Sequence, residues 1–268
     1  MSKQESNQRS KFLPVVLSAL AKVLPGVGYS LYKKRLLTPK KVREKWSSQV
    51  RCFHVETPYG KVRAYRYGEG KMVWLVHGWS GHGRQFWPLM QKLAEQGYCA
   101  IAFDLPAHGY SNRLQITIPQ LVRAFDSAAS SLFEPEVVIA HGIGASVVAN
   151  SRWFKRFDGK FVMAAPIVDP CKHQRSLFKD YTFNHEYFER FAHDILRRDR
   201  VLFSSMNISE PLGSFPGVTH IIHDKQDVMA PLAAVLPLAE KHNVELITTN
   251  TLGHQRILES RKFMKILP

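Results

Sequence analysis

Metal ligation is the first chemistry that twelve histidines suggest, and their spacing argues against it. No H-x-x-x-H or H-x-H cluster stands beside an acid on one predicted element, so no metal site is expected. His220 and His223 flank a predicted strand end, and His141 sits in a tight turn. The three cysteines, Cys52, Cys99 and Cys171, lack the spacing of a zinc site or a dithiol. Cys52 and Cys99 fall in apolar strand-like runs, where a small buried residue is the plain reading. Nothing in their number demands a disulfide framework, which is compatible with a reducing compartment. The glycines around 78–83 and 142–144 form neither a phosphate loop nor a dinucleotide fingerprint, so no cofactor is expected. Acid–base and nucleophilic chemistry are left. Several polar residues suited to it, His77, Asp104, His141, Asp224 and Asp227, stand at or just past the ends of apolar runs, with His254 following the last such run.

Those runs define the elements that must position the polar residues. Val50–Thr57 and Lys61–Tyr67 read as a hairpin about Pro58-Tyr59-Gly60. Residues 72–76 (MVWLV), Cys99–Phe103, Val137–Ala140, Phe161–Ala164, Val218–Ile222 and Val244–Thr248 read as further strands, the most continuous of them buried on both faces. Helices are predicted over Arg84–Gln96, Ile118–Ser131, Ala145–Phe157, Leu232–Lys241 and Gln255–Ile266. This alternation specifies an α/β domain over 50–268, a mostly parallel central sheet with helices on both faces. The alternation stops over 166–215, where Phe178, Tyr181, Phe183, Tyr187, Phe188, Phe191 and Phe203 lie among charged residues. A helical insertion there would sit over the carboxyl ends of the strands as a lid, its aromatics also serving to dock it.

Charge is concentrated at one end. Residues 1–66 carry 15 Lys/Arg against 3 Asp/Glu, and residues 67–268 carry 22 against 19. The formal charge of +15 therefore belongs mainly to an N-terminal arm, residues 1–49. Residues 1–10 are polar and expected to fray. Short helices over 12–24 and 27–37 follow, with two open destinations: the globular body, or an anionic bilayer. Lys22 and Pro25-Gly26 argue against a spanning helix, and the early, short apolar stretch argues against a secretory signal. The expected location is cytoplasmic, with peripheral membrane contact as the alternative. No nucleic-acid recognition module is visible, and none is expected as a partner.

Five segments carry a resemblance: Leu75-Val76-His77-Gly78-Trp79-Ser80-Gly81, Asp104 to Ser111, Ala140-His141-Gly142-Ile143-Gly144, Asp224 to Pro231, and Gly253-His254. In this order, each at a predicted strand end, they resemble the α/β-hydrolase family across roughly residues 50–268. That resemblance implies the α/β-hydrolase fold with a helical lid. It implies Asp227 as acid and His254 as base, Asp227 being preferred to Asp224 because it stands four residues before Pro231. It implies oxyanion donors in the backbone N–H groups of Trp79 and Ile143. His77 and Gly78 then shape the oxyanion loop, His141 and Gly144 belong to the strand-to-helix elbow, and Asp104 and His108 are architectural.

The family's elbow reads G-x-S-x-G, and this chain departs from it at two positions. Ala140 keeps a small residue. Gly142 removes the hydroxyl that would attack an acyl carbon, while relieving the strained turn. Ser80 and Ser146 are poor substitutes by position, while Cys171, at the entrance to the 166–215 segment, has a position the sequence does not constrain. Three functions remain open: a hydrolase-fold protein with little or no esterase activity that binds a small apolar or acyl-bearing molecule; a serine carboxylesterase, lipase or acyltransferase in which Gly142 replaces an original serine; and a weak water-mediated hydrolase using His254 and Asp227.

Overall fold

The computed structural model describes residues 15–267. The expectation of fraying over 1–10 and the first residues of the arm's first helix lie outside that range. Helical residues 15–23 (α1) run into Pro25–Leu37 (α2), with proline in the first turn, where its missing N–H costs nothing.

Eight strands follow: Arg51–Val55 (β1), Val62–Tyr67 (β2), Lys71–Val76 (β3), Tyr98–Asp104 (β4), Val137–His141 (β5), Lys160–Ala164 (β6), Val218–Asp224 (β7) and Glu245–Thr249 (β8). They form one sheet in the order β1-β2-β4-β3-β5-β6-β7-β8. β2 pairs antiparallel with β1 and β4, and every later pairing is parallel. The sheet is thus mostly parallel, as the alternation requires. β4 and β5 are buried along their whole length, which is what continuous apolar strands covered on both faces must be. One core layer gathers Trp74, Phe103, Phe125 and Trp153, and the other gathers Val73, Leu75, Phe86 and Leu93.

The crossover helices are Trp87–Glu95 (α3), Ile118–Ala129 (α4), Ile143–Ala149 (α5) and Leu232–Lys241 (α9), with Pro170–Ser176 (α6), Asn184–Asp199 (α7) and Ser209–Gly213 (α8) between β6 and β7. Gly253–Arg256 (α10) follows β8. Three predicted helices need correction. The first turn expected from Arg84 is a 3-10 turn, Gly83–Phe86, and α3 starts at Trp87 with Pro88 in its first turn. The helix expected over Ala145–Phe157 stops at Ala149 because Asn150 Nδ2 and the Ser151 hydroxyl donate to the carbonyls of Ser146 and Val148. The terminal helix expected over Gln255–Ile266 is broken at extended Ser260, whose hydroxyl accepts from the Lys262 amide.

The arm packs on the 166–215 segment. Tyr29 Oη donates to Asp194 at 2.7 Å and Tyr32 Oη donates to Asn184 at 2.9 Å, while Lys33 pairs with Asp194. Tyr32 is fully buried against Phe178, Phe183 and Tyr187. The far end of α7 is fixed through buried Asp199, which accepts from Thr117 and Gln120 at the start of α4. Among the described residues, no helix is long and apolar enough to cross a membrane.

Candidate active site

The elbow between β5 and α5 is built around two glycines. Gly144 lies where β3 presses on α5: a Cβ there would stand 2.5 Å from the His77 carbonyl oxygen and 2.7 Å from that of Val76. Gly142 has φ 56° and ψ −124°, a left-handed turn in which ordinary side chains are strained. Its carbonyl accepts from the Ile167 amide at 3.1 Å, and its own amide donates to Ala164 at 3.0 Å, so the turn is held from β6.

His254 enters from α10, after β8. Its Nδ1 lies 2.7 Å from Asp227 Oδ2. A carboxylate only accepts, so Nδ1 carries the proton and the Nε2 lone pair is left free. A Cβ at Gly142 would stand 3.2 Å from that Nε2. Asp227 is buried, and its Oδ1 accepts from the amides of Met229 (2.8 Å) and Ala230 (2.9 Å). Burial pushes its carboxyl up, but the hydrogen bonds from His254 and those amides outweigh burial and hold it below the usual range. Asp224, the competing acid, is bonded to other partners than His254. It accepts from the Thr249 hydroxyl and the amides of Leu252 and Gln226, which overcome burial and bring it down to about 2.

The neighbouring histidines shape the site. His77 Nδ1 donates to the Gly78 carbonyl at 2.7 Å while Nε2 accepts from the Leu105 amide at 3.0 Å, so both nitrogens of a neutral ring are used. His141 Nε2 donates to the His254 carbonyl at 2.9 Å, tying the segment that carries His254 to the end of β5. Burial pushes His77 down to about 4, and burial with the adjacent His254 pushes His141 down to about 3. Both rings therefore stay neutral in the folded protein, whereas in the unfolded chain each takes up a proton near pH 6.5. The unfolded state binds more protons below that pH, so stability falls as pH drops from 6.5 to about 4 for His77, and on to about 3 for His141. Each ring contributes a slope of about 1.4 kcal/mol per pH unit. Urea midpoints should decline accordingly on acidification from neutral pH, and His141→Gln should flatten part of that decline; a constant midpoint over the range would contradict the assignment.

Asp104 and His108 are engaged in the framework. Asp104 accepts from the Gly83 and Tyr110 amides and from Tyr65 Oη, and His108 Nδ1 bonds the Pro106 carbonyl. The candidate oxyanion amides sit at the start of α5 (Ile143) and in the loop after β3 (Trp79). The Gly78 Cα in that loop is 3.8 Å from the position a residue-142 Cβ would take. No acceptor among the described residues engages either amide.

Two of the possible substitute nucleophiles are hydrogen-bonded elsewhere, and the third is held as a thiol. Ser146 is buried and donates to the Ile167 carbonyl at 2.6 Å. Ser80 Oγ accepts from the Lys40 amide at 2.9 Å. Burial, with Asp169 nearby, pushes the Cys171 thiol up to about 11, which disfavours the reactive thiolate. Among the described residues, no group of three or more His, Cys, Asp or Glu side chains is placed to hold a metal ion.

A cleft of about 680 Å³ opens over His254, His141 and Ile143. Ile167, His173, Gln174 and Leu177 wall it from the 166–215 segment, and Arg35, Leu36 and Lys40 from the arm. The arm's contribution is not foreseen from sequence. Neither is that of His173, whose protonation is disfavoured by burial and by its proximity to His254. The link between them is Gln174, which donates to the Leu36 carbonyl across 138 residues of sequence.

A sequence model described as the alpha/beta hydrolase family matches residues 75–261. The pimeloyl-[acyl-carrier protein] methyl ester esterase of Xanthomonas campestris pv. campestris is 38% identical over 63 residues, 23% of this chain and 24% of that protein. The enzyme of the same name from Xylella fastidiosa is 25% identical over 150 residues, 55% of each chain. The chain thus spans about a quarter to about half the length of these curated relatives. Among solved structures, an esterase of Pyrococcus furiosus superposes with TM-score 0.62 at 20% identity, covering 86% of this chain and 93% of its own. An epoxide hydrolase of Vigna radiata superposes with TM-score 0.59 at 17% identity, covering 82% and 96%. At such identities the likeness concerns the fold, which hosts more than one reaction.

Proposed function

From the premise that the chain belongs to the α/β hydrolase family, we propose that it binds a small apolar or acyl-bearing molecule in the cleft and cleaves esters weakly or not at all. One observation carries this reading: the free Nε2 of His254 faces glycine, 3.2 Å from where a Cβ would begin. A base with no hydroxyl to deprotonate cannot form an acyl-enzyme. The rest of the apparatus supports retention of a carbonyl ligand. The unengaged amides of Ile143 and Trp79 suit a carbonyl oxygen, and the cleft volume suits a short acyl chain. In this reading segment 166–215 acts as the lid over the ligand, with α6 against the bound chain.

A second reading has one observation in its favour. The same lone pair that lacks a serine is open to the cleft, where it can polarise a water for direct attack on a bound ester. Such a site keeps only the fraction of rate that the oxyanion donors and binding supply.

The experiment is to expose the unaltered chain to p-nitrophenyl esters of several chain lengths. The expected result is a raised melting temperature, p-nitrophenolate release near background, and no acyl adduct in the intact mass. Turnover at ordinary enzyme rates overturns the proposal.

A further inference from the structure

The junction between α1 and α2 projects from the body. Val23, Leu24 and Val27 are 76%, 53% and 49% exposed, and Lys22, Pro25 and Gly26 beside them are exposed as well. The opposite face of α2 is committed to packing: Tyr29, Tyr32 and Leu36 are buried, and Tyr187 Oη donates to the Pro25 carbonyl at 3.0 Å. The tip is therefore presented by a docked helix rather than by a frayed end. Between Val15 and Arg43 the chain contains seven basic residues and no Asp or Glu. Asp194 on α7 faces this arm and pairs with Lys33, while Glu186, also on α7, stands beside Tyr187 near Pro25. Arg190, also on α7, lies over the Tyr29 ring at 4.1 Å and adds a further cation.

We infer that the arm is a membrane-docking element: Val23, Leu24 and Val27 enter the interface of an anionic bilayer while Lys22 and Lys34 meet its headgroups. Charge complementarity selects the anionic surface, and the apolar tip selects a bilayer over a nucleic acid, whose backbone offers three exposed aliphatic side chains nothing to bury against. The arrangement also connects the surface to the cleft. At about 1.5 Å per residue, α2 carries the chain about 16 Å from the tip at Pro25 to the cleft wall at Leu36 and Arg35. An acyl molecule leaving the bilayer beside the arm is thus within one short helix of the candidate site.

The test is co-sedimentation of the 268-residue chain with phosphatidylcholine vesicles, and with phosphatidylcholine vesicles containing phosphatidylserine, at low salt. The expected result is retention on the anionic vesicles, little on the neutral ones, and loss of retention as salt is raised. Val23→Glu/Leu24→Glu should weaken partitioning about tenfold or more, and Lys22→Ala and Lys34→Ala about fivefold each, following the usual contribution of one basic residue near such a surface. Because these side chains are exposed, an unchanged melting temperature should accompany each variant. Failure of the unaltered protein to sediment with anionic vesicles, or full retention of a folded Val23→Glu/Leu24→Glu variant, overturns the inference. Ester turnover does not enter the readout, so the result stands apart from the function proposed for the cleft.

Discussion

Gly142→Ser should raise p-nitrophenyl ester hydrolysis by about 10³-fold or more over the unaltered chain. A serine Cβ would lie 3.2 Å from His254 Nε2, which brings its hydroxyl within reach of the base once the imidazole yields by a few tenths of an ångström. The lone pair is on the right nitrogen because Asp227 already holds the proton on Nδ1. The gain has a cost. A side chain at φ 56° is strained, so the variant should lose about 1–3 kcal/mol of stability, read as a lower urea midpoint. A folded Gly142→Ser protein with no gain in hydrolysis would mean that the amides of Trp79 and Ile143, or the cleft itself, do not serve an ester carbonyl. A full gain would equally fit an esterase whose original serine is replaced by glycine.

Asp227→Asn in that Gly142→Ser background should remove most of the restored rate, about 10³- to 10⁴-fold. The reason is a proton on the wrong nitrogen. The carbonyl oxygen of the new side chain can keep the amide bonds of Met229 and Ala230, so the loop is preserved. The side-chain NH₂ then faces His254 as a donor where a carboxylate oxygen had accepted. The imidazole must present Nδ1 as an acceptor and carry its proton on Nε2, which can no longer take one from the serine. Folding should be little affected and substrate binding nearly unchanged, so the loss should fall on kcat. Retention of most of the rate would remove Asp227 from the mechanism and leave it as a loop anchor.

The fold was legible because its signals are local. The continuous apolar runs at 72–76, 99–103 and 137–140 read as strands covered on both faces, and each is followed by a polar residue, His77, Asp104 or His141, that faces the cleft or frames it. The elbow was equally plain, since Gly142 and Gly144 bracket a turn that tolerates no side chain at Gly144. Helix lengths were harder to read. The apolar pattern after Gly144 continues through Trp153 and Phe157, yet Asn150 and Ser151 end α5 by bonding the preceding turn, and the aromatics return to the core through a separate 3-10 turn, Trp153–Lys155. What sequence could not convey was who walls the cleft. Arg35, Leu36 and Lys40 reach it because Tyr29 and Tyr32 bind α7, contacts that span more than 150 residues and leave no periodic trace. His173 is similarly silent: one histidine on a seven-residue helix, significant only because α6 lines the cleft.

The central claim is that the base at His254 faces a position unable to hold an acyl group. It is tested most directly by the intact mass of the unaltered chain and of Gly142→Ser after exposure to the same activated acyl ester. An unchanged mass is expected for the first and an acyl increment mapping to residue 142 for the second. An increment on the unaltered chain, at any side chain lining the cleft, would contradict it.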